Sequence, residues 1–167
     1  MKKKLIVLVI LVMGIIPTVQ ATDQIFFDIN GGVAFYPAVG GKIGWMHYWE
    51  NEKVGLIVDA SYLGIIASYP NADGGTETSY SNVAGISAGA VFNNMGMNGV
   101  IRTMQYVKLK LFSDFAEEPT FSPGFDLGFK LNVFFIERVA LSSGIGIEAA
   151  TKLFPHFYLS LGMIFVF

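Results

Sequence analysis

Residues 157–167 read Phe157-Tyr158-Leu159-Ser160-Leu161-Gly162-Met163-Ile164-Phe165-Val166-Phe167. Taken alternately, Phe157, Leu159, Leu161, Met163, Phe165 and Phe167 share one face, and Tyr158, Ser160, Gly162, Ile164 and Val166 share the other. Successive side chains of a β-strand point to opposite sides, so a two-residue period is a strand signature. The first face is uniformly bulky and apolar, while the second mixes small, polar and aliphatic groups.

The same period runs upstream. Phe125, Leu127, Phe129, Leu131 and Val133 alternate with Gly124, Asp126, Gly128, Lys130 and Asn132. Val139, Leu141, Ile145, Ile147 and Ala149 oppose Ser142, Gly144, Gly146 and Glu148. Ile25, Phe27, Ile29, Val33 and Phe35 oppose Gln24, Asp28, Asn30 and Gly32; Val39, Ile43 and Trp45 oppose Gly40, Lys42 and Gly44. Leu56, Val58, Ala60 and Tyr62 oppose Asp59 and Ser61. Residues 80–92 are rich in small side chains (Ala84, Ile86, Ala88 and Ala90 against Ser87 and Gly89). Residues 100–112 alternate from Tyr106 onward, where Val107, Leu109 and Leu111 oppose Lys108 and Lys110. The register within 80–112 stays open at this level.

Turn signals separate these runs at Pro37, Glu50–Lys53, Pro70–Gly75, Asn93–Gly96, Glu117–Pro119, Phe135–Arg138 and Lys152–Pro155. Seven connections imply eight strands in a single domain over residues 22–167. Ahead of it lie Lys2, Lys3 and Lys4, an apolar stretch from Leu5 to Ile16, and Pro17-Thr18-Val19-Gln20-Ala21. A positive start, a short apolar centre and a small-residue ending are the parts of a secretory signal peptide, expected here over residues 1–21 with cleavage after Ala21. The stretch is short for a permanent helical span, which needs about 20 apolar residues.

Composition narrows the class. Charged residues are 14% of the 167-residue chain, hydrophobic residues 53% and aromatic residues 14%, and there is no cysteine. The aromatic content excludes a disordered chain. The missing cysteines exclude a disulfide scaffold and a thiolate metal site. Net charge is −2, and it falls to −5 when the three leader lysines depart, which excludes a nucleic-acid partner.

A soluble sandwich turns its apolar side inward and covers its outer side with charge. Here the polar side is small and rich in glycine, with charges of types that can pair: Asp28, Asp59, Asp126 and Glu148 with Lys42, Lys108, Lys110 and Lys130. An inverted arrangement resolves this, with bulky groups outward to lipid and a polar network inward. In lipid no backbone group can stay unpaired, so the sheet must close. The expected fold is all-β, a closed eight-stranded antiparallel up-and-down transmembrane β-barrel after a cleaved signal peptide. Aromatics fall near strand ends: Trp45, Trp49, Phe92, Phe134, Phe135 and Phe167 at one end, and Phe35, Tyr36, Tyr69, Tyr80, Phe112, Phe121 and Phe157 at the other. Two such girdles suit the headgroup levels of a bilayer.

On these features residues 22–167 resemble the small eight-stranded outer-membrane barrel family (OmpA/OmpX-like). The most specific element is the terminal strand, with Met163, Phe165 and Phe167 on one face. The resemblance implies that these three residues form an assembly signal read by the outer-membrane assembly machinery, with periplasmic chaperones as transient partners and outer-membrane lipids as permanent surroundings. A Gram-negative-type envelope and a monomer are expected, and export by the signal peptide followed by hairpin connections places the N-terminus, the even-numbered turns and Phe167 in the periplasm. The short connections at Pro37 and Thr151–Pro155 depart from the long surface loops common in the family, which weakens a loop-based adhesin.

Three motifs bear on chemistry. Gly144-Ile145-Gly146-Ile147-Glu148-Ala149 matches a dinucleotide fingerprint in letters, but that motif must open a helix and needs a distant acidic partner, and the chain ends first. His47 and His156 lack ligand-spaced neighbours. His156, Ser160 and Glu148 supply the residue types of a lipid hydrolase, yet four residues of strand separate histidine from serine by about 13 Å, so His156 reads as a polar cap at the outer rim. The expectation is a barrel without enzymatic activity or cofactor, whose lumen is filled by side chains and whose role is structural or surface interaction, with residues 69–80 and 113–121 exposed at the surface. The alternatives are a narrow pore or transporter for small solutes, a lipid-modifying enzyme, and a secreted soluble barrel for an apolar ligand.

Overall fold

Each alternating run becomes a strand: β1 (Thr22–Val33), β2 (Pro37–Tyr48), β3 (Val54–Pro70), β4 (Thr76–Met95), β5 (Ile101–Asp114), β6 (Phe121–Ile136), β7 (Val139–Ala150) and β8 (Leu153–Val166). The computed structural model describes residues 22–33, 37–49, 53–70, 75–95, 100–114, 120–151 and 153–167. The leader at 1–21, Phe35 and Tyr36, and Glu117–Pro119 lie outside the described residues.

Neighbours in sequence are neighbours in space, and β1 pairs antiparallel with β8 from Gln24↔Val166 to Val33↔Phe157, so the sheet closes in the order β1 to β8. Closure gives the backbone donors and acceptors of the shared wall a partner on both sides. The region whose register was open is now set: β4 and β5 pair from Val83↔Asp114 to Met95↔Arg102.

Several turn positions move. Pro37 is the first residue of β2, facing Val33, where its missing N–H is least costly. Leu153–Pro155 belong to β8, and Asn93–Met95 to β4. The largest difference is at β3 and β4, which pair as far as Pro70↔Thr76. Residues 76–80, expected to be exposed at the surface, are exposed, and they are also strand because Thr76, Thr78 and Tyr80 suit an extended ladder and meet β3 in register.

The facing is inverted relative to a soluble barrel. Ile29 (72%), Leu109 (78%), Leu159 (67%) and Leu161 (58%) are exposed on the outside, whereas Asp126 (0%), Lys108 (2%) and Lys130 (2%) are buried inside. Inward packing works by pairing large side chains with glycine across the ladder. Phe26 faces Gly44, Tyr106 faces Gly128, and Gly146 faces Tyr158. A Cβ on Gly128 would run into the Tyr106 hydroxyl, and one on Gly146 would run into the Tyr158 ring, so the glycines are the space those rings occupy. The sequence Gly144–Ala149 therefore lies in a strand, where its glycines face packed side chains.

Candidate functional site: the charge-paired lumen

Inward positions of six strands carry Asp28 (β1), Lys42 (β2), Asp59 (β3), Lys108 and Lys110 (β5), Asp126 and Lys130 (β6) and Glu148 (β7), and all eight are buried. Asp126 is the hub. Its Oδ2 accepts from Lys42 Nζ at 2.7 Å and lies 2.8 Å from Lys108 Nζ, and its Oδ1 accepts from the Tyr158 hydroxyl at 2.6 Å. Lys108 also donates to Asp59 Oδ2 at 2.5 Å. Glu148 lies 3.7 Å from Lys42 and pairs with Lys110. Lys130 pairs with Asp28 in a second cluster. The Tyr106 and Tyr158 hydroxyls are 2.5 Å apart, which links the hub to the layer below.

Four lysines against four carboxylates make the group neutral by formal charge. An unpaired charge buried at this depth costs several kcal/mol, so each ion needs a close partner and hydrogen bonds to survive there. Each ammonium also sits over an aromatic face: Lys42 over Tyr158 at 4.0 Å, Lys108 over Tyr106 at 4.6 Å, Lys110 over Phe112 at 4.4 Å and Lys130 over Phe26 at 4.5 Å. Such contacts contribute roughly 2 kcal/mol where both groups are desolvated.

Toward the end that holds Thr22 and Phe167 lies an apolar layer that the alternation did not single out. Phe26, Met46, Tyr48, Ile57, Val91, Met104, Tyr106, Ala140 and Ile164 form one buried cluster, with Phe134 and Val166 packed against it. The Tyr48 hydroxyl donates to Met104 Sδ at 3.2 Å and to Met46 Sδ at 3.8 Å. Parity was the available signal: Phe26 lies two residues from Asp28, and Met46 four from Lys42, on the same faces. The alternation had already put Ile164 and Val166 on the inward face of β8, and it left Phe26 and Met46 unassigned.

Three expected positions need correction. Phe112 and Phe134 were placed in the aromatic girdles. Phe112 is buried beside Lys110, and Phe134 faces the inner cluster with Arg102 stacked at 4.8 Å, because both share the inward parity of Lys110 and Asn132. His156 is not a rim cap: it is buried in the lumen with Nε2 3.2 Å from Glu148 Oε2. Among the described residues Ser160 Oγ has no hydrogen-bond partner, so serine and histidine are not coupled as nucleophile and base. Trp49, Phe92, Phe135 and Phe167 are exposed at one end, and Tyr80, Phe121 and Phe157 at the other. His47 lies between Trp45 and Trp49, with ring centroids 5.4 and 6.5 Å away, and its Nδ1 is 2.9 Å from Asp23. Among the described residues no cluster of three or more histidine or acidic side chains is arranged for a metal ion. Met163 and Phe167 are exposed on the outer face, and the Phe167 N–H donates to the Asp23 carbonyl at 2.9 Å.

No protein-family model and no curated protein matches the chain in sequence. Solved structures match its shape. The N-terminal β-barrel domain of Pseudomonas aeruginosa OprF superposes with a TM-score of 0.55 at 17% identity, over 89% of this chain and 100% of that one. A major outer membrane protein from Thermus thermophilus gives a TM-score of 0.65 at 12% identity, covering 89% and 100%. The Yersinia pestis outer membrane protein Ail gives 0.56 at 13% identity, again covering 89% and 100%. The chain has the fold of the small eight-stranded outer-membrane β-barrels.

Proposed function

We propose that this protein is an integral outer-membrane barrel with a side-chain-filled lumen and a structural or surface-interaction role. The observation that carries this reading is the separation of surfaces, with Ile29, Leu109, Leu159 and Leu161 outward and the whole Lys–carboxylate network buried within. Only a hydrocarbon surround makes that arrangement favourable, since it costs nothing to expose leucine to acyl chains and several kcal/mol to expose a charge there. Matching folds among outer-membrane proteins support the location.

The polar network and the apolar layer below it occupy the interior together, and an eight-stranded barrel has room for little beyond its own side chains. This supports a plugged barrel over a water-filled pore. In this reading the connections β2–β3, β4–β5 and β6–β7 and both ends of the barrel domain face the periplasm, the protein is a monomer, and Met163, Phe165 and Phe167 are presented to the assembly machinery. It acts without enzymatic chemistry.

The test has two measurements. The purified protein in lipid vesicles should resist carbonate extraction and show heat-modifiable gel mobility, and planar bilayers containing it should show no unitary conductance steps. A folded monomer in buffer without amphiphile would end the membrane reading, and steady conductance steps would end the plugged one.

A further inference from the structure

An ionisable pair sits on the outer face of the wall, the face that meets lipid. Asp23 shares the outward side of β1 with Phe27 and Ile29, and His47 shares the outward side of β2 with Ile43 and Trp45. The two stand directly opposite each other in the β1–β2 ladder. His47 is buried although it points outward, its ring lying between Trp45 and Trp49. Its Nδ1 engages Oδ1 of Asp23, while the Asp23 side chain stays 41% exposed. Among the described residues Asp23 Oδ2 has no partner.

Depth decides what meets that oxygen. A carboxylate turned outward is costly against hydrocarbon and acceptable at headgroup level. Trp49, Phe92, Phe135 and Phe167 are exposed at this end, and the Phe167 N–H donates to the Asp23 carbonyl, so Asp23 stands within the aromatic girdle. The group laid against Oδ2 is therefore a lipid headgroup.

Charge selects which headgroup. A carboxylate repels an anionic headgroup such as phosphoglycerol. A primary ammonium donates charge-assisted N–H bonds to it. Trp45 and Trp49 lie diagonal to Asp23 on the same face, and indole faces attract the same cation. A quaternary ammonium keeps the attraction to the indoles but has no N–H to donate. Lys53 and Arg138, both exposed on turns at this end, offer cations to the phosphate that accompanies the ammonium.

We propose that Asp23, with Trp45 and Trp49 diagonal to it, is a headgroup site for an aminophospholipid, whose primary ammonium is held on Oδ2. The inference rests on the membrane reading, which sets this face against lipid.

The chain has two tryptophans, and both flank the site, so indole fluorescence reports the lipid beside it. The full barrel is placed in phosphatidylcholine vesicles that hold a minor fraction of a chain-brominated lipid, which quenches an adjacent indole. The brominated lipid is phosphatidylethanolamine, its monomethyl or dimethyl derivative, phosphatidylcholine or phosphatidylglycerol. Ethanolamine lipid is enriched about threefold over choline lipid beside the indoles, the gain of an exposed ion pair. Each added methyl lowers the enrichment. Asp23→Asn brings ethanolamine and choline lipids to equal quenching, whereas Glu77→Gln, at the opposite end of the barrel, leaves the preference intact. Equal quenching by the two lipids in the unaltered protein, stronger quenching by phosphatidylglycerol, or a preference that survives Asp23→Asn overturns the site. Carbonate extraction and heat-modifiable mobility are measured on the same samples. If the barrel resists extraction and shows the mobility shift while the lipid preference is absent, only the headgroup site is rejected; if those two fail, the membrane reading falls too.

Discussion

The hydroxyl of Tyr158 lies 2.6 Å from Oδ1 of Asp126, whose other oxygen is held by Lys42 and Lys108. One carboxylate from β6 thereby joins side chains of β2, β5 and β8 across the interior. The network's stability should be most sensitive at this carboxylate, because its loss is felt on all four strands.

Asp126→Ala leaves Lys42 and Lys108 short of a counter-charge, and breaking a buried pair this way costs about 3–5 kcal/mol. The measurement is the urea midpoint of unfolding from vesicles. Tyr158→Phe removes one hydrogen bond to a charged group and should cost about 1.5–3 kcal/mol. The double variant should cost less than the sum, since both act on one carboxylate. Strict additivity would show that the hydroxyl and the carboxylate are energetically independent.

Leu161 is 58% exposed on the outer face of β8, near the middle of the strand. Leu161→Arg should destabilise by about 2–4 kcal/mol in a bilayer, whereas Tyr80→Arg, beyond the closed wall, should cost about 0–1 kcal/mol. Equilibrium folding into vesicles distinguishes them. Ser160→Arg points into the lumen beside Gly144, where crowding is the penalty. An equal cost at Leu161 and Tyr80 would contradict the assigned depth.

Gly128→Ala would drive a methyl group into the Tyr106 hydroxyl and should cost about 1–3 kcal/mol by overpacking. Pairing it with Tyr106→Leu should recover part of that loss, because the shorter side chain vacates the space. Unfolding midpoints of the two single variants and the double variant provide the check, and lack of recovery would locate the clash elsewhere.

Met104, 1% exposed, fills the apolar layer beside Tyr48. Met104→Ala should cost about 2–5 kcal/mol as a cavity. Its bilayer conductance should stay at zero, because the ion-paired layer above remains intact. A conducting Met104→Ala barrel would show that the apolar layer alone seals the lumen.

The strand pattern was legible because bilayer and lumen impose opposite demands on alternate residues, and Phe157 to Phe167 state both demands in one segment. Lys42, Lys108, Lys110 and Lys130 could be matched by type to four carboxylates for the same reason. Phe112 and Phe134 were misplaced because an aromatic near a strand end suits either a girdle or the lumen, and only parity counted from an inward neighbour separates the two. His156 was misplaced similarly, since its partner Glu148 lies on another strand.

By itself the chain determined period, facing and closure, because these depend on residues one or two apart and on the solvent each face meets. The tertiary structure alone decided which charges meet. Lys130 and Asp28 are 102 residues apart, and Lys42 and Asp126 are 84 apart, on strands that share no ladder. Those contacts cross the lumen, so they depend on how the closed sheet curves and on the glycines that let long side chains reach across. Neither quantity is written in any local spacing.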